Sequence, residues 1–136
     1  MSLDQVAQLL GRVVFSAFFI ISGVNHLLKT KQMAEYAKTA GNVPAPAVAV
    51  VLTGLMLLGG GLSLLLGYHP RIGSLLLFVF LVPTAFMMHQ FWKVSDPMQK
   101  AGEMAQFWKN ITLAGAALYI ASNPHWPWPM ALGNIF

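Results

Sequence analysis

IGSLLLFVFLVPTAFMMHQFW, residues 72–92, contains no Asp, Glu, Lys or Arg. A helix of about 20 such residues spans the hydrocarbon of a bilayer, so this stretch reads as a membrane span. Pro83 lies inside it. Its missing N–H frees one backbone carbonyl, which membrane helices tolerate where neighbours satisfy it. The run closes on His89-Gln90-Phe91-Trp92, and after a polar connection comes an echo, Phe107-Trp108-Lys109-Asn110. Histidine, tryptophan, lysine and asparagine thus collect where apolar sequence meets water.

The rest of the chain repeats the alternation. Apolar residues make up 57% of it and charged residues 9%, against roughly 25% charged in soluble domains. A soluble fold of this size would leave a large apolar area facing water, which a bilayer removes. Residues 4–28 make a first span, opened by a helix-start signal at Ser2 or Asp4. Arg12 within it, and the lack of a small-x-small site after it, favour a retained helix over a cleaved signal peptide. Residues 45–66 make a second span and 106–121 a fourth, with the polar connection 93–106 read as a loop. Between spans one and two, Met33, Tyr36 and Ala37 stand at helical spacing among Lys29, Lys31 and Lys38. That pattern fits a short amphipathic helix on the membrane surface, or one tucked against the bundle. Gly59, Ser63 and Gly67 form a small-residue ridge every four residues for close helix packing. His125-Trp126-Pro127-Trp128-Pro129 is too proline-rich for a helix, and its tryptophans suit an interfacial belt. The expected fold is all-α: one polytopic membrane domain over residues 1–136, an antiparallel four-transmembrane-helix bundle with a short amphipathic interfacial helix between spans one and two.

Lys and Arg number three in the first loop (29, 31, 38), one in the second (71) and three around the third (93, 100, 109). Six against one puts loops one and three in the cytoplasm and both termini outside, on the periplasmic side. The bases are parcelled out among loops, unlike the basic face of a nucleic-acid binder. With no cysteine, disulfides, thiolate nucleophiles and Cys-ligated clusters are excluded.

This topology brings Asn25 and His26 of the first span to the depth of His89, Trp92, Trp108, Lys109 and Asn110, the candidate lining of a pocket at the cytoplasmic rim. Arg12 and Arg71 are polar candidates near the outer face. A histidine at a helix end hydrogen-bonds a quinone carbonyl or passes a proton near neutral pH; packing beneath Trp92 would explain His89 as well. Lys109 and Asn110 suit an anionic or carbonyl ligand, or else a lysine snorkelling to headgroups and an inter-helix bond. His26 and His89 on different helices are one pair for bis-histidine haem, too little without further pattern. They do not make a zinc site, and no metal ligands are assigned.

Gly11-Arg12, Ser22-Gly23, Gly41-x-x-Pro44, Gly60-Gly61…Gly67-x-x-x-Arg71, His89-x-Phe91-Trp92 and Phe107-Trp108-Lys109-Asn110 with Gly115, in this order and spacing, resemble the DoxX family of small four-helix membrane proteins. The resemblance implies a prokaryotic plasma (inner) membrane protein, tied to quinone-linked redox or oxidative-stress systems as a subunit or accessory protein. It implies quinone as the ligand class, with the lipid bilayer, a redox partner subunit or further copies of the chain as partners. No catalytic group is identified. A scaffolding subunit is the alternative, ahead of a small-metabolite transporter. Relatives often carry an acid where this chain has Leu57, a lysine where it has His26, and an acid where it has Lys93. A proton relay through an intramembrane acid at position 57 is therefore not expected.

Overall fold

The computed structural model describes residues 1–123 and 127–133. Among them are five α-helices and one 3-10 turn, with no strand: α1 (Leu3–Leu28), α2 (Thr30–Gly41), α3 (Pro46–Leu66), α4 (Pro70–Met88), the 3-10 turn Phe91–Lys93, and α5 (Pro97–Ser122). Three stretches are long and apolar enough to cross a membrane: Leu3–Leu28, Pro46–Leu66 and Pro70–Lys93. α5 has the length, but Lys100, Glu103, Gln106, Lys109 and Asn110 keep it out of that class.

Local chemistry sets the helix ends. Ser2 and Gln5 make a reciprocal capping box: the Gln5 N–H donates to Ser2 Oγ and the Ser2 N–H to Gln5 Oε1, which satisfies two otherwise orphaned donors. Gly67, at φ 65°, ends α3 in the left-handed region that glycine adopts without cost. Ser63 Oγ lies 2.6 Å from the Tyr68 carbonyl and 2.9 Å from that of His69, which ties down the turn into α4. The polar connection expected at 93–106 is mostly helix. Asp96 caps α5 by accepting from the Gln99 N–H at 2.9 Å, and Pro97 takes the first position, where its missing N–H costs nothing.

In hydrocarbon, helices gain little by burying apolar side chains and associate through close packing instead. Of the 59/63/67 ridge, Ser63 packs closely on Gly73 of α4 and Gly67 on Ala131, while Gly59 stands in open space; the α1–α3 approaches fall on other glycines. Added Cβ atoms at Gly23, Gly54 and Gly61 would lie 2.8 Å from atoms across the α1–α3 contact, and one at Gly60 2.7 Å from Leu77 of α4; at Gly59 nothing comes nearer than 4.0 Å. The reason is angular. Gly54 and Gly61 stand two turns apart on the face toward α1, while Gly60 and Ser63 share the face toward α4. Gly59 lies between these faces. The outward faces carry exposed Val14, Ile21, Leu52, Leu55, Ile72 and Val79, as expected of surfaces that meet lipid.

α2 does pack inward. Ala34 and Ala37 are buried with Val50 of α3, and Met33, Val43 and Met88 close around them. The main core holds Phe19, Leu57, Leu64, Leu77, Leu81, Ala114 and Ala117, together with Trp128. Trp128 was expected in an interfacial belt; it is buried instead, because residues 127–133 fold back across one end of the molecule. There Arg12 Nη1 donates to the Pro129 carbonyl at 2.8 Å, the Arg12 guanidinium sits 5.5 Å from the Trp128 ring centroid, and the Leu132 N–H bonds the Leu66 carbonyl. Trp126 and His125 lie outside the described residues. α1 packs on α3, α3 on α4 and α4 on α5, yet no Cα of α1 comes within 8 Å of one in α5. Side chains fill that seam, and two cavities remain in it.

Candidate functional site

The larger cavity, about 430 Å³, lies between the C-terminal part of α1 and the middle of α5, with α2 across it. Phe18, Ser22 and His26 of α1, Val50, Thr53 and Leu57 of α3, and Phe80, Pro83 and Thr84 of α4 form its walls. Met33, Tyr36 and Ala37 of α2 lie over it, and His89, Lys109 and Asn110 bring polar atoms to it. The inward packing of α2 has a purpose here: it turns a groove into a roofed chamber. Pro83 leaves the Val79 carbonyl without its helical donor, and Val79 lines the same cavity.

Each polar side chain is held differently. His26 Nδ1 lies 2.7 Å from the Ser22 carbonyl, so the proton belongs on Nδ1 and Nε2 is left as the acceptor of the neutral ring. The Phe80 ring stands edge-on to it at 6.0 Å. His89 follows the last turn of α4, and its Nδ1 lies 2.9 Å from Glu103 Oε2 across to α5. Lys109 Nζ donates to Gln106 Oε1 at 2.6 Å and sits 5.5 Å from the Phe18 ring centroid. Asn110 is 5% exposed, and its amide makes no hydrogen bond with a described residue. It shares this wall with the hydroxyls of Ser22, Tyr36 and Thr84, and among these groups it alone is an amide, offering both N–H donors and a carbonyl acceptor.

The electrostatics centre on Glu103. Tyr36 titrates above the usual phenol value, first because burial disfavours phenolate and second because the Glu103 charge repels it. Glu103, Tyr36 and His89 thus form one polar corner. Neither Glu103 nor Tyr36 was among the sequence candidates. Glu103 stands seven residues before Asn110, two helical turns away on the same face, a relation visible only once α5 is read back to Pro97.

Of the expected pocket residues, His26, His89, Lys109 and Asn110 come together on the cavity wall. Asn25, Trp92 and Trp108 do not. Trp92 and Trp108 are about half exposed and belong to an aromatic cluster around Phe107, whose ring lies 5.8 Å from Trp92, 5.3 Å from Trp108, 5.1 Å from Phe86 and 5.3 Å from Phe91. The two Phe-Trp motifs therefore clamp the end of α4 to α5. Arg12 is remote from this chamber and lines the second cavity, of about 290 Å³. Arg71 is exposed on the first turn of α4 and lines neither.

A flat apolar molecule with a polar edge fits the larger chamber: the walls are mostly hydrocarbon and aromatic, and His89, Lys109 and Asn110 bring hydrogen-bonding groups to it. For a metal ion the donors are sparse. Among the described residues no three His, Asp or Glu side chains gather, and the Nδ1 of each chamber histidine is already engaged.

Comparison with known proteins supplies the lineage. The sequence profile described as DoxX matches residues 7–90, more than half of the chain. Inner membrane protein YphA of Escherichia coli (strain K12) is 27% identical over 116 residues, covering 85% of this chain and 81% of that protein. No solved structure matches.

Proposed function

The chain belongs to the DoxX family, and from that premise we propose that it serves quinone-linked redox chemistry as a subunit or accessory protein, holding a quinone ring in the chamber beside His26, His89 and Asn110. It is a multi-pass integral membrane protein. The observation that carries the proposal is the Asn110 amide: the residue is 5% exposed, lines a largely apolar cavity, and its side chain makes no hydrogen bond with a described residue. A carbonyl ligand would accept its N–H, a hydrogen bond worth about 0.5–1.5 kcal/mol. When bound, a quinone takes up or releases electrons together with protons at its two oxygens. The chain's part is to bind, orient and hold protons. Asn110 donates to a ring carbonyl. With Nδ1–H directed at Glu103, His89 presents Nε2, which accepts a proton when neutral and donates one as imidazolium. Glu103 fixes that tautomer. Phe18, Leu57 and Phe80 sandwich the ring and exclude water. Leu57 in place of an acid means that protons reach the chamber from the His89–Glu103 corner, not through the middle of α3.

The same reading makes α5 the fourth span. Its Ala114, Ala117 and Ala121 are buried, which lets a less apolar helix cross against α4. The run of contacts from Gly23–Gly54 to Ser16–Gly61 between α1 and α3, and from Ser63–Gly73 to Gly60–Leu77 between α3 and α4, supports an antiparallel bundle. The six-to-one division of loop Lys and Arg favours the chamber facing the cytoplasm and the termini outside. The name of the E. coli relative favours the inner membrane.

Binding of a short-chain benzoquinone to the detergent-purified protein tests this. Saturable binding is expected, weakened about tenfold by Asn110→Ala or His89→Ala and unchanged by Trp108→Ala. The proposal fails if both chamber variants bind as the wild type does, or if the wild type neither binds nor copurifies with quinone. A stable protein partner without quinone would favour the scaffolding alternative, with the half-exposed Trp92 and Trp108 as the place to dock.

A further inference from the structure

The second cavity lies at the other end of the α1–α5 seam. Four buried polar atoms without a hydrogen-bond partner, Gln8 Oε1, Arg12 Nε, Ser16 Oγ and Trp128 Nε1, all belong to residues that line it. Apart from Ser74 Oγ, they are all the buried side-chain atoms without a hydrogen-bond partner among the described residues. Arg12 and Trp128 are 8% exposed and Ser16 0%. The remaining walls are Gly11, Phe15, Leu64 and Ile120.

Three of the four atoms are donors. Buried unpaired donors cost about 1–3 kcal/mol apiece, and a guanidinium in such surroundings costs more unless a negative charge meets it. Among the described residues no carboxylate pairs with Arg12. Its Nη1 is spent on the Pro129 carbonyl, whereas Nε and Nη2, the edge that takes a carboxylate side-on, bond to no described residue. The indole N–H and the Ser16 hydroxyl add two more donors. Gln8 supplies either its oxygen or, after a half-turn of the amide, its NH2.

We propose that this cavity is a binding site for an apolar monocarboxylate, independent of the quinone chamber. The carboxylate would lie on the Nε–Nη2 edge of Arg12 with Ser16 and Trp128 closing over it, and the hydrocarbon or aryl body along Phe15, Leu64 and Ile120. One guanidinium balances one negative charge, which favours a carboxylate over a phosphate dianion. The volume is near the lower end of the roughly 300–1,000 Å³ of small-molecule sites, which excludes a two-chain lipid. The occupant is either a free organic acid from the aqueous side or a fatty acid from the bilayer.

Titration calorimetry of the full-length protein in nanodiscs tests the site, with octanoate as probe. Octanol has the body without the charge, and acetate the charge without the body. Saturable octanoate binding is expected, with both controls at least about tenfold weaker. Arg12→Gln should cost octanoate about tenfold or more and leave octanol unaffected; Ser16→Ala, which deletes one hydroxyl and creates no charge defect, should cost about threefold. Displacement of octanoate by palmitate carried in the nanodisc assigns the bilayer as source, and its absence the aqueous side; either supports the site. Water alone satisfying the four atoms predicts no saturable binding, which overturns it. So does equal octanoate affinity in the wild type and Arg12→Gln, or, should that variant not fold, in the wild type and Ser16→Ala.

Discussion

The two cavities share a seam and differ in how their polar groups are kept. Around the chamber near Glu103, the side chains are wired before any ligand arrives: His26 to the Ser22 carbonyl, His89 to Glu103, Lys109 to Gln106. Asn110 waits. At the far end the order is reversed, with four orphaned atoms on residues that line a smaller space and one guanidinium edge unspent. A wired set holds tautomers and orientations steady, which suits moving a proton. An unwired set stores unfavourable desolvation until something binds, which suits capture. Counting polar residues would have ranked the two ends alike; asking which atoms already have partners separates them.

The comparison depends first on the α1–α3 seam. Gly54→Leu should push His26 off the chamber wall and Gly61→Leu should displace Ile20 and Ser16 beside the second cavity, each destabilising by about 1–3 kcal/mol or more because backbone as well as side chain is met. Gly59→Ala, in open space, should be neutral. Thermal melts in one detergent rank the three, and a Gly59→Ala as damaging as the others would refute the assignment of faces. Next in size is the wired corner. In a double-mutant cycle, His89→Ala and Glu103→Gln should couple by about 0.5–1 kcal/mol in stability; additivity would show that the corner is not wired.

A smaller effect follows from Tyr36. Its folded-state pKa lies above the unfolded one, so the folded protein keeps its phenol proton where the unfolded chain has lost it. The contribution is therefore complete below the ordinary phenol range and is lost as pH rises from that range through the folded value. Ultraviolet titration should show a late tyrosinate component that Tyr36→Phe removes and Glu103→Gln moves to lower pH. The smallest effect contrasts two orphaned serines. Ser74→Ala removes a buried hydroxyl that lines neither cavity and should change stability by less than about 1 kcal/mol, in either direction. Ser16→Ala should be equally mild without ligand and differ only when octanoate is present, so equal melts with and without octanoate would erase the distinction.

Hydropathy alone made the three long apolar helices legible, because outward faces that meet lipid must be apolar over their whole length. It failed at α5. Asp96-Pro97 is a helix start in plain view, yet the polar turns after it resemble a loop when only apolar periodicity is followed, and Glu103 was lost with them. His26, His89, Lys109 and Asn110 were found together because depth along a span can be counted from sequence. Asn25, Trp92 and Trp108 share that depth but point elsewhere, and azimuth needs the packed neighbours. The burial of Trp128 was illegible for a related reason. Only the return of residues 127–133 across the end of the molecule, held at Arg12 and Leu66, takes the ring out of an interfacial setting.

Phe19 stands between the two cavities. It packs with Leu57, which lines one, and Leu64, which lines the other, and its ring meets Phe15 at 5.0 Å and Phe18 at 5.2 Å. These three rings separate the two cavities along α1. Phe19→Ala should make proteoliposomes dissipate a pH difference faster than wild-type ones do.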